Sequence, residues 1–148
     1  RLMLPRFARG KFYPKNTEKY VGLSTPTYRS SWEHAFMRLC DEHPNVYKWA
    51  SESIKIPYRH PFTGKHTIYV PDFFIVYNDK NSKKHAEMVE VKPASQTTME
   101  AAGKSMAKKK QVIINHAKWE AASAYAKQNR LKFRVVSEED LFHNGKRK

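Results

Sequence analysis

The stretches HTIYVPDFFIVY (residues 66–77) and KHAEMVEVKP (residues 84–93) decide how the middle of this chain folds. Both are rich in β-branched and aromatic residues, and a polar segment joins them, so they should pair as an antiparallel hairpin. A turn centred on Asn81 places Asp72 directly opposite Glu90, and opposite residues share one face of a sheet. The hairpin therefore predicts that two carboxylates meet at its open end.

The pleat of the second strand adds a lysine to this pair. Lys92 lies two residues beyond Glu90, so it should share the carboxylate face. Four apolar side chains should point from the opposite face into the core: Phe73, Ile75, Val89 and Val91. A register shift of one residue would separate the two acids, so the cluster depends on this pairing.

Two acids and a lysine in one place suggest chemistry on phosphate. Carboxylates about 4 Å apart repel by about 4 kcal/mol at an effective dielectric constant of about 20. A divalent cation relieves this repulsion, and hard oxygen ligands favour Mg²⁺ or Mn²⁺. The cation can activate water, and the lysine can stabilise charge that develops on the phosphate. The alternative is a structural cluster of paired charges, because a Glu-x-Lys pattern is expected about once by chance in a chain of this composition.

The charge distribution indicates a polyanionic partner. The 148 residues carry a net charge of +14. Residues 1–29 hold seven Lys or Arg residues against Glu18 alone, residues 101–148 hold twelve against four acids, and residues 30–100 are balanced. Nucleic acid is the expected partner of so basic a chain, and a charged surface kept for solubility is the alternative.

Several classes of protein are disfavoured. No apolar run approaches the ~20 residues that span a bilayer, and RLMLPRFARGKF has no long apolar core, so neither a membrane span nor a secretion signal is predicted. Cys40 is the single cysteine, which excludes an internal disulfide and a Cys-rich zinc site and fits a reducing compartment. No Gly-rich phosphate loop is present, so no nucleotide cofactor is expected.

The apolar periodicity predicts the order helix, three strands, helix, strand. A first helix should begin at Ser30-Ser31 and end before Pro44, with an apolar stripe formed by Trp32, Ala35, Phe36, Leu39 and Cys40. The later elements are strands at 46–57, 67–77 and 85–92, a lysine-rich loop, a helix at 111–129 and a strand at 133–137. The three middle strands should form an antiparallel meander, and the second helix should cross over to the last strand. The expected fold class is α/β, a mixed central β-sheet flanked by helices.

Three segments are expected along the chain. Residues 1–29 should form a basic, irregular arm that either packs on the domain or touches DNA. Residues 30–142 should form the domain itself, and residues 143–148 a basic tail.

The motif residues resemble those of a known enzyme superfamily. Pro71-Asp72 followed by Glu90-Val91-Lys92 resembles the PD-(D/E)xK nucleases, whose restriction-endonuclease-like core has the order αβββαβ. YVPDFFIVY, VEVKP and FRVVSEEDL resemble the TnsA-type endonucleases, and GKFYPKNTEKYVG before YRSSWE resembles the head-completion nucleases of tailed bacteriophages. The resemblance implies a Mg²⁺-dependent or Mn²⁺-dependent DNA endonuclease that acts in phage DNA packaging or head completion.

The resemblance also implies roles for individual residues. Asp72 and Glu90 would bind the metal with the carbonyl of Val91, and Lys92 would orient water or stabilise charge. Glu33 in SSWEHAF would be an outer acid of the site that holds a metal-bound water or serves as a ligand of a second metal ion. From the residues alone, Ser30-x-x-Glu33 is also a capping box, in which Glu33 satisfies only the backbone at the helix start.

Double-stranded DNA is the expected substrate, and phage capsid or portal proteins are expected partners in the host cytoplasm or on the virion. The basic residues expected to contact DNA fall in the arm and at the start of the second helix: Arg6, Arg9, Lys11, Lys104, Lys108, Lys109, Lys110 and Gln111. Two alternatives remain open. One is a non-catalytic protein that binds DNA ends or a capsid vertex, and the other is a dimeric junction-resolving nuclease.

Overall fold

The computed structural model describes residues 9–138 and residue 140. Its helices and strands, in chain order, are β1 (Gly10–Lys11), β2 (Thr27–Tyr28), α1 (Ser31–Glu42), β3 (Val46–Ser51), β4 (Ile56–Arg59), β5 (His66–Tyr69), β6 (Phe73–Asn78), β7 (Lys84–Val91), α2 (Met99–Ala102), α3 (Met106–Gln128) and β8 (Lys132–Val136). Short 3-10 helices cover Thr17–Lys19 and Ala94–Gln96. Within the described residues, no helix is both long enough and apolar enough to cross a bilayer.

The central sheet has four strands in the order β3-β6-β7-β8. The first two pairings are antiparallel, and β7 pairs with β8 in parallel after the crossover through α3. One apolar cluster lies between the sheet and α1, and a second packs β4, β5 and β7 against α3. The prediction of an α/β fold with a mixed sheet flanked by helices is confirmed.

The β6–β7 hairpin has the predicted register. Phe73 pairs with Val89, and the ladder runs regularly to the pair Asn78 and Lys84 beside the turn. The four side chains predicted to point into the core are all buried in the cluster beneath α1: Phe73, Ile75, Val89 and Val91. One step beyond the last pair of this ladder, Asp72 lies opposite Glu90, as predicted.

Two of the predicted strands are each divided in two. The segment 46–57 breaks after β3, where Glu52 adopts a positive φ of 51° and its N–H donates to Asp72 O at 2.9 Å. The segment 67–77 breaks between β5 and β6 at Pro71, which has no N–H to continue a ladder. The freed halves, β4 and β5, pair with each other in a separate two-stranded sheet. The meander β3-β6-β7 therefore contains an inserted hairpin that single-strand periodicity did not reveal.

Both long helices begin at serine caps. Ser30 Oγ accepts from Glu33 N at 3.1 Å, and α1 ends at Glu42 with His43 as its C-cap, before Pro44, as predicted. Its buried face differs from the prediction, since Met37 is fully buried whereas Leu39 is 47% exposed.

The second helix begins earlier than predicted. Ser105 Oγ accepts from Lys108 N at 3.2 Å, so α3 starts at Met106 and not near residue 111. The lysines Lys108–Lys110 therefore lie in the first turns of a helix, and the predicted loop is wrong for them. The reason is the Ser105 cap, which outweighs the mutual repulsion of neighbouring lysines.

The described part of the arm packs on the domain. Phe12 is buried in the cluster beneath α1, and its N–H donates to Pro26 O at 2.9 Å. The Asp41 carboxylate accepts from the backbone N–H groups of Lys15 and Asn16 at 3.0 and 2.9 Å. The expectation of an arm without strand structure is wrong at Gly10–Lys11 and Thr27–Tyr28, which pair.

Candidate active site

The carboxylates of Asp72 and Glu90 converge at the open end of the β6–β7 hairpin. Asp72 immediately precedes β6, and Glu90 is the penultimate residue of β7. Asp72 N donates to Glu90 Oε1 at 3.3 Å, and Val91 N donates to Asp72 Oδ2 at 2.8 Å. Each acid is thus held by the backbone of the opposite strand, which fixes the pair without help from a flexible loop.

Glu90 is oriented by two further side chains. Tyr69, the last residue of β5, donates its hydroxyl to Glu90 Oε1 at 2.8 Å. Lys92 Nζ lies 3.3 Å from Glu90 Oε2, and its side chain is 22% exposed. Glu90 itself is buried. The predicted grouping of Asp72, Glu90 and Lys92 is therefore observed, and Tyr69 is an addition that the sequence did not reveal.

The electrostatic setting of Asp72 disfavours its charge. Burial raises the pKa of Asp72 well above its usual value, and the neighbouring carboxylates of Glu90 and Glu33 raise it further. The Val91 N–H and the Lys92 ammonium act in the opposite direction but are weaker. Two desolvated carboxylates that repel each other in this way are stabilised most directly by a bound cation.

The donor set fits a hard divalent cation. Asp72 and Glu90 supply carboxylate oxygens, and Mg²⁺ commonly takes one or two carboxylates and completes its shell with water and substrate phosphate. In the part of the chain that the structure describes, no three His, Cys, Asp or Glu side chains come together as a metal-binding group. Among the described residues, the site therefore offers two converging carboxylates, without a third acid grouped with them.

Glu33 lies at the edge of this acid cluster, in the first turn of α1. Its Oε1 accepts from Arg29 N at 3.0 Å, so the predicted return bond to Ser30 N–H is replaced by one to the preceding residue. Burial raises the pKa of Glu33, and the carboxylates of Glu52 and Glu90 raise it further against the opposing effect of Arg29. Glu33 thus serves the helix start and also stands in the electric field of the site.

Lys118 on α3 is a second lysine whose charge is influenced by the two carboxylates. Its Nζ lies 5.7 Å from the centroid of the Tyr69 ring. Burial lowers the pKa of Lys118, as does the charge of Lys92, whereas Glu90 and Asp72 raise it. No motif in the sequence marks this residue, because only the packing of α3 against β5 brings it near the hairpin end.

The residues predicted to contact DNA lie in different layers. Lys104, Lys108 and Lys110 are exposed near the start of α3, and Lys109 is half-buried. Gln111 donates to Asn115 Oδ1 at 2.8 Å, so its amide has a partner within the helix.

The arm residues belong to the opposite side of the sheet. Arg9 and Lys11 are exposed. The next residue, Phe12, packs in the cluster beneath α1, so this part of the arm lies in the layer of that helix. Arg6 and the tail 143–148 lie outside the described residues.

Two comparisons with known proteins indicate the family of this chain. The family model described as TnsA-like endonuclease N terminal matches residues 43–138. The head completion nuclease of Enterobacteria phage T4 is 34% identical over 142 residues, which cover 89% of this chain and 92% of that protein. Asp72, Glu90 and Lys92 all lie within the segment that the family model matches, whereas Glu33 precedes it. With the family model covering most of the chain and a converging acid pair inside the matched segment, the chain belongs to the TnsA-like endonuclease family.

Proposed function

We propose that this protein is a DNA endonuclease that requires Mg²⁺ or Mn²⁺ and cuts double-stranded DNA during the completion of phage heads. The observation that carries the proposal is the convergence of Asp72, Glu90 and Lys92 at the open end of the β6–β7 hairpin. The net charge of +14 supports a polyanionic substrate.

Asp72, Glu90 and the Val91 carbonyl would hold the cation. When bound, it supplies Lewis-acid polarisation of the scissile phosphate and lowers the pKa of water. The two carboxylates are preorganised for binding a cation because the backbone of the opposite strand holds each of them in place. Tyr69 keeps Glu90 in one orientation through its 2.8 Å hydrogen bond.

Lys92 and Lys118 would supply positive charge to the reacting phosphate. Lys92 is held against Glu90 at 3.3 Å, and Lys118 lies over the Tyr69 ring. Ammonium groups fixed in a partly buried site stabilise charge as it develops, and they need little reorganisation to do so. Both lysines therefore should affect the rate of cleavage more than the affinity for DNA.

Glu33 is proposed as an outer acid of the site. Its carboxylate shares the electrostatic environment of Asp72 and Glu90, although its hydrogen bond is to Arg29 N. Glu33→Gln separates this role from simple capping, because glutamine still accepts from Arg29 N. We expect cleavage to be lost while the thermal unfolding midpoint changes little. Full activity of Glu33→Gln would leave Glu33 as a helix cap only.

The setting of the reaction follows from the relative. The relative from phage T4 is named a head completion nuclease. We therefore place this protein in the cytoplasm of an infected host, with capsid or portal components as its protein partners and possible association with the virion.

The metal requirement is tested with supercoiled plasmid. Purified protein is incubated with Mg²⁺, Mn²⁺, Ca²⁺ or EDTA, and nicked and linear products are quantified over time. We expect cleavage with Mg²⁺ and Mn²⁺ and little with Ca²⁺, which is larger and less strict in geometry. Equal cleavage in EDTA would overturn the proposed metal dependence. No cleavage under any condition would favour a non-catalytic DNA-binding role.

A further inference from the structure

The β4–β5 hairpin stands outside the central sheet and is fixed on one side only. Its ladder pairs Ile56 with Tyr69 and Arg59 with His66. Ile56, Tyr58 and Tyr69 are buried in the cluster beneath α3. The hairpin is therefore anchored to the domain by its inner face.

The outer face and the tip of this hairpin are open. The cross-strand pairs Pro57–Ile68 and Arg59–His66 are exposed, and paired residues share a face. Ile68 is 53% exposed, and Phe62 at the tip is 50% exposed. An exposed surface with apolar and basic side chains side by side is suited to binding a partner.

The charge of the hairpin selects the kind of partner. Residues 53–71 contain Lys55, Arg59 and Lys65, two histidines and no acid. A segment of 19 residues with charge of one sign repels basic surfaces and attracts a polyanion. The apolar side chains alone would also fit a protein partner, but the single sign of the charge favours nucleic acid.

The hairpin is continuous with the other basic surface of this layer. Lys110 Nζ lies 5.9 Å from the centroid of the Phe62 ring, so the hairpin tip touches the start of α3. Lys108 and Lys110 are exposed there. Together, the tip and the helix start form one basic surface.

The same hairpin leads directly into the acid pair. Tyr69 at the end of β5 donates to Glu90, and Asp72 follows three residues later. The four residues of β5 extend about 13 Å from this point, which corresponds to about four base pairs of a DNA duplex. A duplex with one phosphate at the acid pair would thus run alongside the hairpin.

We propose that the outer face of the β4–β5 hairpin binds double-stranded DNA next to the cut site. Arg59 and Lys65 contact phosphates, and Phe62 makes an apolar contact at the tip. This inference rests on the proposed nuclease function, which sets the position of the DNA, but binding by the hairpin can be measured without cleavage.

The test compares two charge reversals with the same change in net charge. Arg59→Glu/Lys65→Glu alters the β4–β5 hairpin, and Lys80→Glu/Lys83→Glu alters exposed lysines at the turn of the β6–β7 hairpin, away from the acid pair. Affinity for a duplex of about 40 base pairs is measured in EDTA over a series of salt concentrations. Two lost phosphate contacts should reduce the slope of log affinity against log salt by about 2.

We expect the β4–β5 variant to lose about tenfold or more in affinity relative to the β6–β7 control, with unchanged thermal unfolding. Phe62→Ala should weaken binding with the salt slope preserved, which separates the apolar contact from the charges. Equal DNA affinities of the two charge variants would overturn the proposal and favour a protein as the partner of this surface. Because binding is read in EDTA, failure of wild-type protein to cut DNA would count against the nuclease and not against the hairpin.

Discussion

Asp72 is held in the fold by a hydrogen bond, yet its negative charge is unfavourable where it lies. Its Oδ2 accepts from Val91 N at 2.8 Å, which ties the entry of β6 to the end of β7. Burial and the nearby acids nevertheless raise its pKa, so its negative charge opposes folding in the absence of a cation. Functional sites commonly retain such unfavourable charges, and neutralising them often stabilises the protein.

Asp72→Asn should separate the hydrogen bond from the charge. Asparagine still accepts from Val91 N but carries no charge, so the metal-free variant should gain about 1 kcal/mol, or about 3 °C in unfolding midpoint. Mg²⁺ should raise the midpoint of wild-type protein and not that of Asp72→Asn, because only a folded, metal-binding state is stabilised by the ion. Differential scanning fluorimetry checks both effects.

The control for this experiment is Asp79→Asn, at the turn end of the same hairpin, which should keep the Mg²⁺-dependent shift. An unchanged Mg²⁺ shift in Asp72→Asn would show that the ion binds elsewhere.

Lys118→Met should slow cleavage without weakening the fold. Methionine preserves the apolar stem over Tyr69 and removes a charge that burial already disfavours. We expect the single-turnover rate to fall about tenfold or more, with DNA affinity changed much less. Lys127→Met, an exposed lysine on the same helix, is the matched control. If the two variants cut DNA equally fast, Lys118 has no part in the reaction.

The elements show which local signals were sufficient for prediction. The β6–β7 hairpin was predictable because its apolar alternation and polar turn agree on a single register, and Asp72 and Glu90 follow from that register. The inserted β4–β5 hairpin was not predictable from such patterns. The two predicted strands are interrupted there because of the positive φ of Glu52 and the missing N–H of Pro71. Lys118 and Tyr69 were missed for the same reason, because only the packing of the inserted hairpin on α3 brings them to the site.

Helix α1 makes a specific prediction about the single cysteine. Cys40 is 1% exposed in the cluster between α1 and the sheet, and burial raises the pKa of its thiol. The thiolate is the reactive form, so folded protein should react very slowly with a disulfide reagent such as 5,5′-dithiobis(2-nitrobenzoic acid). Protein unfolded in guanidinium chloride should release one equivalent of the coloured thiol at once. Rapid labelling of the native protein would contradict the described packing of α1.

In the described part of the molecule, basic residues lie on both sides of the central sheet, some in the layer of α1 and others in the layer of α3. The described part of the arm lies with α1, whereas the β4–β5 hairpin and the start of α3 lie on the other side of the sheet. On that side Tyr69 donates to Glu90, and Lys118 lies over the Tyr69 ring. Composition predicted the partner from the charge of +14, but it could not say which basic residues share a surface. The DNA-binding surface proposed above lies on the α3 side, adjacent to the carboxylates.

The most direct test of the proposed nuclease site is DNA cleavage by Glu90→Gln. Glutamine retains an oxygen that can accept from Tyr69 and from Asp72 N, so the fold should survive while one negative charge of the acid pair is lost. Glu100→Gln, the same chemical change at an exposed position of α2, is the matched control. With Mg²⁺ and with linear or supercoiled DNA, we predict that Glu90→Gln cleaves at least about a hundredfold more slowly than Glu100→Gln, while the two variants bind DNA equally well. Cleavage by repurified Glu90→Gln at the rate of Glu100→Gln would contradict it.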